Sequence, residues 1–137
     1  MWSSETLAGN PPEKTKVLIV DDDKSILRIL TRIFQKQGFD AETAETGKEA
    51  EEKINDAVYD VGIIDVKLPD VDGTDLLSRI HAMKPSMVKI VLTGFPSVDN
   101  GIKAMNVGAD AYLVKPVQPE ELLKIVKEKL KERSSKK

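Results

Sequence analysis

Five short apolar runs, separated by stretches with helical periodicity, restrict this chain more than any other feature of it. They are Val17-Leu18-Ile19-Val20, Phe39-Asp40-Ala41-Glu42-Thr43, the run from Val61 to Ile64, the run from Val88 to Leu92, and the run from Ala111 to Val114. Alternation of this kind builds βα units around a parallel sheet. Four runs are almost continuously apolar, as strands covered on both faces must be. The second alternates polar with apolar and is predicted at a sheet edge.

The intervening segments carry helix signals. Ile26, Ile29, Leu30, Ile33 and Phe34 form a stripe at helical spacing that ends at Gly38, a residue able to take the left-handed cap conformation. Thr46-Gly47-Lys48-Glu49 reads as a capping box. Leu76, Leu77 and Ile80 follow Gly73 in a third helix. Ser97 caps a fourth with Val98, Ile102 and Met105 inward, and Pro119 opens a fifth containing Leu122, Leu123, Val126 and Leu130.

Strands of such a sheet run in one direction, so the residues just past their ends gather along one edge, where these folds bind ligands. Asp21, Asp22 and Asp23 follow the first run. Asp65 ends the third, Thr93 and Gly94 the fourth, and Lys115-Pro116 the fifth. Carboxylates brought together this way repel and raise one another's pKa unless a cation neutralises them. Hard oxygen ligands in small number favour Mg²⁺, and a metal there lets Asp65 act as a nucleophile toward phosphorus. Lys115 supplies a point charge, Thr93 a hydroxyl donor, and Gly94 room for a phosphoryl group. Taken singly, Asp22 or Asp23 reads equally well as a cap of the first helix.

Composition narrows the function further. At 137 residues the chain suits one domain, and the absence of cysteine excludes disulfides, thiolate catalysis and cysteine-based zinc sites. A net charge of -2 gives no general attraction to nucleic acid. The segment from Met1 to Lys16 has no apolar core of the signal-peptide kind and no run is long enough to span a bilayer, so a cytoplasmic protein without membrane contact is expected.

On the four segments Val17 to Asp23, Tyr59 to Gly73, Leu92-Thr93-Gly94 and Gly108 to Pro116, the chain resembles the receiver domains of two-component response regulators, the chemotaxis type included. The resemblance implies a doubly wound, flavodoxin-like α/β fold with five parallel strands in order 2-1-3-4-5 and five helices. It implies a receiver over residues 16–131, a disordered extension over 1–15 and a basic tail over 132–137.

It also implies roles. Asp65 is the phosphoacceptor, Asp22 a direct Mg²⁺ ligand, Asp21 a partner through water, and the Lys67 backbone carbonyl a further ligand. Lys115 contacts the phosphoryl group, Thr93 and Tyr112 form the switch pair, and Pro116 follows a cis peptide bond. Lys67 and Phe95 resemble positions that tune loss of the phosphoryl group. The partners implied are a sensor histidine kinase or phosphotransfer protein, and a downstream protein or output domain that reads the surface of the fourth helix, fifth strand and fifth helix. A monomer or weak dimer follows, catalysing only its own phosphorylation and dephosphorylation.

Two other functions stay open on the sequence. A phosphatase of the haloacid dehalogenase type also ends its first strand in an Asp-x-Asp pattern, here Asp21-Asp22-Asp23, but leaves Asp65 without a role. A receiver-shaped interaction module blind to phosphate is the second. His81, the sole histidine, is expected to face solvent near a helix end, and Trp2 and the basic stretch from Lys127 to Lys137 are assigned no chemistry.

Overall fold

The computed structural model describes residues 14–135. The strands are β1 (Lys16–Val20), β2 (Asp40–Ala44), β3 (Val61–Asp65), β4 (Val88–Thr93) and β5 (Ala111–Val114), and the helices are α1 (Lys24–Lys36), α2 (Gly47–Asp56), α3 (Gly73–Met83), α4 (Val98–Asn106) and α5 (Pro119–Ser135). All strand pairs are parallel, in the order β2-β1-β3-β4-β5, so this is the doubly wound flavodoxin-like sheet that the resemblance implies.

Successive side chains of a strand point to opposite faces, and this chain buries both. Leu18, Val20, Ile64 and Val91 pack with Ala50, Ile54, Leu76, Leu77, Ile80 and Ala104 beneath α2, α3 and α4. Val17, Ile19, Val61, Ile63, Ile90 and Leu92 pack with Leu27, Leu30, Phe34, Leu122 and Val126 beneath α1 and α5. Burying a side chain such as Leu or Ile contributes about 1.5–3 kcal/mol, so these two layers dominate the fold. At the β2 edge, Phe39 lies just before the strand and meets Phe34 edge-on at 5.1 Å.

Several side chains depart from expectation. In α1 the buried face is centred on Leu27, Leu30 and Phe34, which turns Ile29 outward. In α4 the correction is larger. Val98, Ile102 and Met105 are 78%, 55% and 49% exposed, and Ala104 is the buried residue. The space beneath α4 is taken by the Tyr112 ring, which lies against Gly101, so the helix turns its small residues inward. The fifth run is only half-buried because β5 is the second sheet edge.

His81 is half-buried rather than turned fully to solvent. Its ring sits beneath the left-handed Gly108, and its Nδ1 is buried without a hydrogen-bond partner. Lys89, within the fourth run, is almost wholly buried, and its Nζ donates to the Met87 carbonyl at 2.6 Å. That burial holds its pKa below the usual lysine range.

Helix α5 runs through Ser135, past residue 131. Its Arg133 donates to the Asp60 carbonyl (3.2 Å) and carboxylate (3.3 Å), while Asp60 Oδ2 accepts from the Lys16 N–H at 2.9 Å. Both ends of the described chain are thereby tied to the sheet edge opposite the one that carries Asp65. Most of the 1–15 extension, including Trp2, and residues 136–137 lie outside the described residues.

Candidate functional site

The site occupies the C-terminal ends of β1, β3, β4 and β5. Register brings them together, since Val20 pairs with Ile64, Asp65 with Leu92 and Thr93 with Val114. Asp21, one residue past β1, is 2% exposed, Asp65 8% and Thr93 1%. Asp22 is exposed, and Asp23 serves as the cap of α1, its Oδ1 accepting from the Ser25 and Ile26 N–H groups at 2.9 and 3.3 Å. Of the three consecutive acids, two therefore remain for other chemistry.

Asp21, Asp22 and Asp65 each offer a carboxylate oxygen within 4.8 Å of the others. Three hard anionic oxygens at that spacing, one facing solvent, form a donor set that fits a divalent cation keeping part of its water. The electrostatics agree. Burial, and then the charge of Asp21, raise the pKa of Asp65, with Lys115 opposing. Lys115 bridges the acids, its Nζ lying 2.8 Å from Asp21 Oδ2 and 3.4 Å from Asp65 Oδ1. Burial disfavours its charge, but the hydrogen bond and charge of Asp21, joined by Asp65, outweigh this and raise its pKa.

Thr93 Oγ1 accepts from the Phe95 N–H at 2.9 Å, which leaves its own proton free to donate. The Tyr112 hydroxyl is buried with no partner, behind Thr93 in the β5 strand and against α4. Lys67 lies in the loop after β3, its Nζ 4.0 Å from the Phe95 ring centroid. The Lys115–Pro116 peptide bond is cis. Asp21, Asp22, Asp65, Lys115 and Thr93 thus lie along one edge, with Tyr112 one layer behind.

Sequence reasoning missed the residues that hold the loop between β3 and α3. Asp72 caps α3, its Oδ1 accepting from the Thr74 N–H (2.8 Å) and hydroxyl (2.5 Å). Asp70 bonds the start of α2. Acidic residues ahead of Gly73 were the available signal for the first; the second links elements that sequence does not join.

Comparison with known proteins agrees with this geometry. The family model of the response regulator receiver domain matches residues 17–127. A CheY-like receiver domain protein from Methanospirillum hungatei JF-1 superposes with a TM-score of 0.89 at 41% identity, covering 91% of this chain and all of that one. The beryllofluoride-activated NtrC4 receiver domain dimer gives a TM-score of 0.82 at 39% identity, covering 86% of this chain and 98% of that one. Among full-length proteins, the transcriptional regulatory protein ZraR of Klebsiella oxytoca is 33% identical over 80% of this chain, which spans 25% of its length. BasR of Escherichia coli K12 is 36% identical over 78% of this chain, spanning 48% of that protein. Among the described residues no helix is long and apolar enough to cross a membrane. By this match along most of its length, the chain belongs to the receiver domain family of two-component response regulators, a family of signalling domains.

Proposed function

We propose that the chain works as a Mg²⁺-dependent phosphoacceptor switch in which Asp65 takes a phosphoryl group from a histidine kinase or a phosphotransfer protein. The observation that carries this is the Asp65 carboxylate held between the acidic pair Asp21 and Asp22 and the Lys115 ammonium at the ligand-binding edge of the sheet. Asp21, Asp22, Asp65 and the Lys67 backbone carbonyl would hold the metal, and its charge would offset that of the incoming phosphate.

A carboxylate oxygen of Asp65 forms the new bond to phosphorus as the donor's phosphorus–nitrogen bond breaks, and the departing imidazole keeps the electron pair. Lys115 pairs with the phosphoryl oxygens. Thr93 donates its free proton to another of them, and the Tyr112 ring, already seated beneath α4, would hold the helix in that arrangement. The altered surface is that of α4, β5 and α5, where Val98, Ile102, Met105 and Val114 are exposed. The matched segment spans only 25% of ZraR and 48% of BasR, both transcriptional regulators, which supports a separate output domain or partner protein as the reader. The domain turns over only its own phosphate.

Intact mass after incubation with Mg²⁺ and acetyl phosphate tests this. The expected result is one phosphoryl adduct that requires Mg²⁺ and is missing in Asp65→Asn. An adduct that persists in Asp65→Asn, or none from either acetyl phosphate or a cognate kinase, overturns it.

A further inference from the structure

Helix α2 cannot complete its own N-terminus. Its cap, Thr46, accepts from the Glu49 N–H through Oγ1 at 3.0 Å, and Glu49 reaches back to the Glu45 N–H at 2.8 Å. That leaves the N–H groups of Gly47 and Lys48, the first two of the helix, without a local acceptor. Both are taken by a residue from another element. Asp70 Oδ1 accepts from Gly47 at 2.8 Å and Oδ2 from Lys48 at 3.0 Å. These two bonds also lower the pKa of Asp70, which keeps it ionised near the positive end of the helix. Next to it, Val71 fills the space a Cβ at residue 47 would need, so only glycine admits the contact.

The segment that Asp70 anchors is short and closed. Its base is fixed to α3, where the Gly73 N–H donates to the Val66 carbonyl at 2.7 Å and Asp72 caps the helix. Lys67 and Asp72 form an antiparallel bridge within it, and the Lys67 backbone lies near enough to the Asp65 carboxylate to favour its charged form. Lys67 therefore sits in a loop pinned at one end by α3 and at its outer end by α2. Neither pin bonds a carboxylate of the acidic cluster, yet together they determine where the Lys67 backbone stands beside Asp65.

We infer that Asp70 is a positioning residue for the metal: by tying the β3–α3 loop to the start of α2, it holds the Lys67 backbone carbonyl where a cation at Asp21, Asp22 and Asp65 requires it. The inference rests on the metal reading given above. Residues that orient metal ligands without touching the ion affect metal affinity strongly. Asp70 is predicted to do so from the outer end of the same loop, with no effect on the number of carboxylates in the site.

The test is a Mg²⁺ titration of the whole chain followed by amide NMR, with thermal unfolding measured on the same samples. Asp70→Ala should weaken Mg²⁺ binding roughly tenfold, the low end for residues that orient ligands, and shift the Lys67 amide before metal is added. Asp70→Asn, which keeps one acceptor oxygen, should recover part of the affinity. Thr46→Ala removes an N-cap of the same helix but leaves the loop anchored, so it should lower Tm without changing Mg²⁺ affinity. Wild-type affinity in Asp70→Ala, or equal weakening in Thr46→Ala, overturns the positioning role. A wild type that binds no Mg²⁺ overturns the metal reading itself, and this inference with it.

Discussion

Lys115 stands closer to Asp21 than to Asp65: its Nζ is 2.8 Å from Asp21 Oδ2 and 3.4 Å from Asp65 Oδ1. The ammonium thus sits more tightly on an oxygen of the acidic pair than on that of the phosphoacceptor. A cation arriving at Asp21 must compete with it, and displaced, Lys115 is free to turn toward Asp65. Lys115→Ala should therefore bind Mg²⁺ more tightly and accept phosphate more slowly. Unit charges 4 Å apart near a protein surface interact by about 4 kcal/mol, and with solvent replacing the amine we expect roughly tenfold tighter binding. Calorimetric titration and adduct formation measure the two effects; weaker binding in the variant would mean that Lys115 supports the metal rather than rivals it.

Asp65 should cost the metal-free domain stability. Its folded-state pKa is raised, by burial first and then by Asp21, so the native state binds its proton more tightly than the unfolded chain. Stability then falls as pH climbs from the ordinary carboxylate range through the raised value, and stays lower above it. Asp65→Asn should raise Tm at neutral pH, where about 1 kcal/mol corresponds to roughly 3–6 °C in a domain of this size. The gain should shrink in acid. A gain that grows as pH falls would reverse the assignment.

A methyl group at residue 101 should be welcome. Gly101 lies inside α4, and a Cβ there would meet Tyr112 Cδ2 and Cε2 at 3.5 Å, ordinary contact. Gly101→Ala should stabilise the domain by about 0.5–1 kcal/mol through helix propensity. Gly101→Leu should instead force the Tyr112 ring outward. Thermal unfolding reads the first, and contacts between residue 101 and the Tyr112 ring protons read the second.

Gly73 admits no such change. A Cβ there would stand 2.5 Å from the Asp65 carbonyl oxygen and from Val66 Cα, both backbone atoms beside the phosphoacceptor. Gly73→Ala should lower stability by about 1–3 kcal/mol, the usual cost of overpacking, and slow acetyl phosphate labelling as well. Normal labelling in a destabilised variant would show that the shift is absorbed by α3 alone.

Phe95 should lengthen the life of the phosphorylated state. It is largely exposed, its N–H is bonded to Thr93, and its ring lies under the Lys67 ammonium at 4.0 Å. An apolar ring spanning the loops after β3 and β4 would hinder water near Asp65. Phe95→Ala should lose its phosphoryl group several-fold faster, measured by decay of the adduct after removal of the donor. An unchanged decay assigns the ring to packing alone.

Much of this was open to reading because apolar runs and strand ends obey simple rules. Strands β1, β3 and β4 are continuous because both faces are covered, and Asp21, Asp65, Thr93 and Lys115 converge because parallel strands share a direction. Periodicity, however, identifies a helix face without saying which way it turns. Val98, Ile102 and Met105 lie on one side of α4, but the side that meets the sheet is the one where Gly101 and Ala104 leave space for Tyr112. Ile29 was misplaced for the same reason, two positions from Leu27 on the opposite flank of α1. Lys89 was hidden inside an apolar run, and its partner is a carbonyl, which no side-chain pattern announces. Asp70 joins elements 22 and 23 residues apart, a relationship set by packing alone.

The clamp of Arg133 and Lys16 on Asp60 has a practical side. It gathers both ends of the described chain at the edge of the sheet where the strands begin, about 16 Å from the phosphoacceptor edge at roughly 3.3 Å per strand residue. A fluorophore attached at residue 14 or 134 would leave the donor's approach to Asp65 open. Two reporters placed there would also stand near each other from the outset, so a distance-based sensor of phosphorylation needs one of its labels moved to α4.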